Sequence, residues 1–106
     1  MRPLFHGDLT CAARALMCVP VAQRRSLCCR LFEEAATADA YVRRTGKVHS
    51  TFGNGSLMAA ARKRALADEP ALNNADYCQC LMLVLDFIRR EVGAENTDLK
   101  INKTAG

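Results

Sequence analysis

The sequence predicts an all-α fold: a compact bundle of about four helices with a flexible C-terminal tail. Three observations predict it. Apolar residues recur at i, i+3 and i+4 through most of the chain. No segment alternates apolar and polar residues for long enough to read as a strand, and β-branched residues are sparse. The 106 residues, 50% hydrophobic and 25% charged, suit one globular domain. The domain is expected over residues 1–93 and the tail over 94–106.

The first helix is expected to start at Asp8, whose carboxylate accepts backbone N–H bonds from the first turn. Leu9, Ala12, Ala13, Leu16 and Met17 make its apolar stripe, and Pro20 ends it. Proline also suits the first turn of the next helix. That second helix is expected over 21–44, with Leu27, Leu31, Ala35, Ala38 and Val42 on one face and Gly46 as its left-handed cap. Residues 45–55 connect it to a short third helix, expected over 57–67 and closed before Pro70. Asn73 and Asn74 open the fourth helix. Its expected buried stripe is Tyr77, Leu81, Leu85, Ile88 and Val92, ending at Gly93. The segment AENTDLKINKTAG has too little apolar surface to offset the entropy of ordering, hence the expected tail.

Several function classes are excluded or disfavoured. No apolar run approaches the ~20 residues of a membrane helix. Asp8 and Arg14 interrupt the apolar stretch near the N-terminus, so a signal peptide is not expected and the chain is read as cytoplasmic. Six cysteines lie in stretches that read as helix, where each serves as a small buried hydrophobe with its thiol reduced. No Cys-x₂-Cys or His-x₃-His pair is present, and Cys78 and Cys80 point about 200° apart on a helix. No metal and no cofactor is expected. Gly46-Lys47 lacks the rest of the nucleotide-binding loop, and Gly53-Asn54-Gly55 lacks the third glycine and the preceding strand of the dinucleotide fingerprint.

The stretch HSTFGNGSLMAA, residues 49–60, carries the sharpest candidate. Its structural reading is a tight turn at Gly53, Asn54 and Gly55, with Ser56 capping the third helix. Its functional reading rests on charge. No acidic residue occurs between Asp39 and Asp68, so the third helix starts with a serine and no anion of its own. Such an end accepts an external phosphate or carboxylate. Arg43, Arg44, Lys47 and His49 approach it, and with Asn54, Gly55 and Ser56 they make the candidate anion site. A binding module predicts loss of a partner on Gly55→Val, with the fold kept.

Charge is also uneven along the chain. Residues 1–67 hold eleven Lys and Arg against four Asp and Glu; residues 68–106 hold four against seven. Such a basic half suits an anionic partner or an acidic second half. A nucleic-acid role through the basic 43–64 surface is the alternative function, although about eleven residues between helices two and three rule out a helix-turn-helix. Catalysis has less support. Ser56 with His49 lacks an orienting third group, and Cys28 and Cys29 beside Arg24, Arg25 and Arg30 are explained by packing.

At RRTGKVHSTFGNGSLMAAA (43–61) and DYCQCLMLVLDFI (76–88) the chain resembles a small family of uncharacterised alphaproteobacterial proteins. The likeness extends to the N-terminal MRPLFHGDLTCAARAL. The resemblance implies no activity and no ligand. The leading expectation is therefore a non-enzymatic protein-binding or adaptor module, with a protein partner or a second copy of itself.

Overall fold

The computed structural model describes the backbone of residues 2–105 and the side chains of residues 2–93. Four helices follow in order: α1 His6–Met17, α2 Val21–Thr45, α3 Leu57–Arg62 and α4 Ala75–Ala105. The expected all-α bundle is the observed one. The expected tail, 94–106, lies outside the residues whose side chains are described. Among the described residues no helix is long and apolar enough to cross a membrane.

α1 is the hub, packing against all three other helices. Its composition explains this. Ala12, Ala13 and Ala15 are almost fully enclosed, and their small side chains let neighbouring backbones approach closely. Gly7 extends that surface, with the terminal methyl of Met58 standing where a Cβ would be. The helix begins at His6 rather than Asp8, so Asp8 occupies the third helical position. From there its Oδ2 accepts from the Phe5 N–H at 2.9 Å.

The core joins Leu16 of α1, Leu27, Cys28, Leu31 and Phe32 of α2, Leu57 of α3, and Tyr77, Cys80 and Val84 of α4. α2 follows its expected stripe and stops at Gly46, whose φ of +72° is the left-handed cap conformation. Pro20 sits one position before the helix, as its N-cap.

α3 ends five residues sooner than expected, and the ends of two helices explain it. α1 closes with a tight turn in which Cys18 N–H donates to Ala15 O at 3.1 Å, which frees the Arg14 carbonyl. Ala67 N–H donates to that carbonyl at 3.2 Å, and Arg14 Nε donates back to Ala67 O at 2.7 Å. Residues after Arg62 are thus drawn across to α1 instead of continuing α3. Asn74 then caps α4 as expected, its Oδ1 accepting from Tyr77 N–H at 3.0 Å.

Two further expectations change. Leu85 and Val92 are 48% and 43% exposed; the buried stripe of α4 is Tyr77, Cys80 and Val84, with Leu81, Phe87 and Ile88 half-buried beside it. All six cysteines are free thiols, yet only Cys11, Cys28 and Cys80 are buried; Cys18 and Cys29 are exposed.

Two ion pairs tie the helices together. Arg24, 8% exposed, donates to both oxygens of Asp76 at 2.6 and 3.1 Å and to the Val19 carbonyl at 3.2 Å. The α1–α2 corner is thereby fastened to the first turn of α4. Arg64 donates to both oxygens of Glu34 at 2.8 and 2.6 Å, fastening the end of α3 to α2.

Two measurements test this packing. Leu31→Ala should lower unfolding free energy by about 2–5 kcal/mol in urea titration, whereas exposed Leu85→Ala should change it by less than about 1 kcal/mol. The hydrogen bonds from Arg24 hold the Asp76 carboxyl below its usual range. A folded-state pKa below the unfolded one stabilises above the unfolded value, about 3.9, and that stability is lost as pH falls through the folded one. The urea midpoints of wild type and Arg24→Met should therefore differ most near neutrality and converge as pH drops below about 4.

Candidate functional site

The residues after Gly46 form a self-supporting loop. Thr45 Oγ1 donates to Tyr41 O at 2.8 Å and accepts from Lys47 N–H at 3.1 Å. His49 and Gly53 then exchange backbone hydrogen bonds at 2.9 and 3.1 Å. Within that small turn His49 Nδ1 accepts from Thr51 N–H and Phe52 N–H, both at 3.0 Å. This geometry places an unprotonated Nδ1 at the centre of the turn. The imidazole stacks on Phe52 and meets the edge of Tyr41, with centroids 5.0 Å apart in each case. His49 is thus the scaffold of its own loop.

The Gly-Asn-Gly-Ser segment is equally occupied. Asn54 Oδ1 accepts from Ser56 N–H at 2.9 Å, and the Asn54 carbonyl accepts from Arg2 at 2.8 Å. Ser56 Oγ caps α3 by accepting from Ala59 N–H at 3.0 Å. Gly53 and Gly55 have positive φ, whereas Asn54 does not. At Gly55 the φ of +97° coincides with a close helix contact: a Cβ would stand 2.7 Å from the Cα of Asp39. Gly55→Val therefore strikes the α2 backbone, and the expectation that it spares the fold is corrected.

The absence of acid near α3 is also resolved. Asp8 Oδ1 accepts from Met58 N–H at 2.9 Å, across fifty residues of sequence. This carboxylate, 5% exposed, serves the start of α1 with one oxygen and the start of α3 with the other. The anion that the helix start requires comes from within the chain. Asp8 was legible as a capping residue of its own helix, but no local signal ties it to α3.

The approaching cations separate. Arg43 pairs with Asp39 at 3.2 Å, and the Arg44 guanidinium lies 5.6 Å from the Tyr41 ring centroid. Lys47 is exposed beyond the helix cap. Of the basic run at the end of α3 and just past it, Arg64 is held by Glu34 while Arg62 and Lys63 are exposed. Asn54, Gly55, Ser56 and His49 are brought together as loop architecture, and no cation hydrogen-bonds to their side chains among the described residues.

Burial pushes the Cys28 thiol up to about 12 and also raises Cys80. The Cys29 thiol is raised by donating to Glu33 Oε1 at 3.5 Å. Among the described residues no group of three or more His, Cys, Asp or Glu could hold a metal ion.

The surface that the sequence did not single out lies along α4. Leu72, Met82 and Leu85 are 72%, 68% and 48% exposed. Leu72 and Leu85 line a cavity of about 340 Å³ between α1, α4 and the 69–72 segment, with Leu9, Tyr77 and Leu81 on its apolar side and His6, Thr10 and Glu69 on its polar side. The signal was present in the apolar residues of α4, which are too many for one buried stripe.

The chain belongs to a family described as a domain of unknown function (DUF7742), matched over residues 2–88. The match takes in α1, α2, the 46–56 loop, α3 and α4 as far as Ile88, so Asp8, Met58, Asp39 and Gly55 all lie inside it. No curated protein and no solved structure matches the chain.

If Asp8 joins α1 to α3, Asp8→Ala should lower unfolding free energy by about 1–3 kcal/mol, because two partly enclosed N–H groups lose their acceptor. Asp8→Asn keeps one acceptor oxygen and should cost less. Urea titration of the three proteins tests the order; equal stability of wild type and Asp8→Ala would contradict it.

Proposed function

We propose that this domain is a non-enzymatic protein-binding module whose contact surface is the apolar flank of α4 beside the α1–α4 cavity. One observation carries the reading: Leu72 and Leu85 are exposed at a mostly apolar cavity and Met82 is exposed three residues before Leu85 on α4, on a small domain whose core is already complete without them. Clustered exposed apolar side chains around a concavity are a feature of protein-contact surfaces, since their burial against a partner is favourable. Raised thiols at Cys28, Cys29 and Cys80 support a non-catalytic role. The anion-binding reading of residues 43–56 has less support, because Ser56 and Asp8 already take the Ala59 and Met58 N–H groups. A nucleic-acid role would rest on Arg44, Lys47, Arg62 and Lys63, with Arg43 and Arg64 engaged by Asp39 and Glu34.

Affinity capture from the native host tests the proposal. Met82→Asp with Leu85→Asp places two charges on exposed positions and should leave the circular dichroism spectrum and melting midpoint near wild type. The proteins retained by wild type should be lost from the double variant. Retention of the same proteins at the same level by both would overturn the assignment of this surface.

A further inference from the structure

The cavity between α1, α4 and the 69–72 segment contains a hydrogen-bonding group with no partner. Tyr77 lines it and is 1% exposed, yet its hydroxyl makes no hydrogen bond among the described residues. Every fully enclosed side-chain nitrogen or oxygen among those residues does have a partner. The Tyr77 hydroxyl is therefore not sealed in; it is the part of this side chain that the cavity reaches. A phenol so deeply buried ordinarily finds its partner inside the protein. Here a partner reaches it only through the cavity.

The rest of the lining says what that partner carries. Leu9, Leu81 and Leu85 make an apolar wall, which the exposed Leu72 continues to the mouth. Glu69 lines the cavity and is exposed, so its carboxylate stands at the mouth too. Burial first and this carboxylate second hold the Tyr77 hydroxyl above its usual pKa range. The carboxylate is thus close enough to act on the hydroxyl, which keeps its proton. Arg14 acts on the same hydroxyl less strongly and in the opposite sense. It lies outside the lining, with its Nε given to the Ala67 carbonyl. Glu69 and its neighbour Asp68 make no ion pair among the described residues. No lysine or arginine lines the cavity, in a chain that has fifteen of them. Of the other polar lining, Thr10 Oγ1 already donates to Gly7 O at 3.3 Å, and His6 adds a ring nitrogen.

We propose that this cavity receives a basic side chain, lysine or arginine, of the partner protein. Its methylene stem lies along Leu9, Leu81 and Leu85, and its head sits between the Glu69 carboxylate and the Tyr77 hydroxyl. The proposal rests on the reading of the surrounding surface as a protein contact. At about 340 Å³ the cavity falls at the lower end of the roughly 300–1,000 Å³ of small-ligand pockets, room for one long side chain and not for a helix. Long basic side chains suit such a place, because their stems are apolar and their charged heads stay at the wet rim. Ammonium and guanidinium groups carry several donors, enough for carboxylate and phenol together. An anionic head would be repelled by Glu69, and an uncharged chain would leave both oxygens without a donor.

Titration of the full chain with an acetylated, amidated peptide Gly-Leu-Lys-Leu-Gly is the test, beside versions with arginine, norleucine or glutamate at the centre. Binding is followed by NMR on the Tyr77 ring protons, with Tyr41 of α2, the second of two tyrosines, as internal control. The basic peptides should move the Tyr77 signals alone and bind about fivefold or more tighter than the norleucine peptide, which has a similar stem and no charge. The glutamate peptide should not bind. Glu69→Gln should abolish the preference for charge. Tyr77→Phe should weaken the basic peptides about threefold or more and leave the urea midpoint unchanged, because the hydroxyl has no partner within the domain. Retention of host proteins by the Met82–Leu85 surface is read separately on Met82→Asp with Leu85→Asp, so failure of the cavity and failure of the contact surface are distinguishable. Basic and norleucine peptides that bind equally, no binding by any peptide, a preference that survives Glu69→Gln, or a Tyr77→Phe protein that binds like wild type or loses stability would each overturn the proposal.

Discussion

The structure depends on one carboxylate. Asp8 holds one N–H group at the start of each of two helices, fifty residues apart, and it does so from an enclosed position. A buried acceptor shared by two donors fixes both the angle and the separation of α1 and α3. The other contacts of α3 follow from that placement. Leu57 enters the core, Gly55 presses its backbone on Asp39, and the chain beyond Arg62 falls within reach of Arg14 and Glu34. Asp8 adds to the burial of Leu57, Ala60 and Ala61 in holding a helix of six residues, a segment too short to repay its own nucleation.

Around this joint the fold uses small residues and paired ions. The alanines of α1 bring three helices close enough to exclude water, and the arginines fasten the edges where the helices end. Arg24 to Asp76 and Arg64 to Glu34 are both bidentate and each crosses between elements, so they specify which helix end meets which. The basic excess of the N-terminal part of the chain is thus partly spent inside the molecule. What remains outside is divided between the loop side, with Arg44, Lys47, Arg62 and Lys63, and the exposed face of α2, with Arg25 and Arg30.

The helices and most of their caps were legible in the sequence. Gly46, Ser56 and Asn74 act as read, because capping depends on the residue and the three or four that follow it. His49, Asn54, Gly55 and Ser56 fall in one loop because the hydrogen bonds that shape it are local. Two expectations about exposure were not legible. Leu85 and Val92 fit a helical stripe as well as Cys80 and Val84 do, and periodicity alone does not say which stripe a neighbour covers. Cys29 differs from Cys28 by one position, hence by 100° of helix, and only the location of the core separates an exposed thiol from a buried one.

The sequence by itself determined the elements: an all-α chain, its long second and fourth helices, most of their caps, and a glycine turn before a serine-capped helix. These rest on backbone conformations and hydrogen bonds that close within one turn. Only the tertiary structure decided what supplies the anion at α3, where α3 stops, which flank of α4 stays open, and which arginines remain outside. Each of those is settled by a partner thirty or more residues away, and such a partner becomes a neighbour only when the helices have packed.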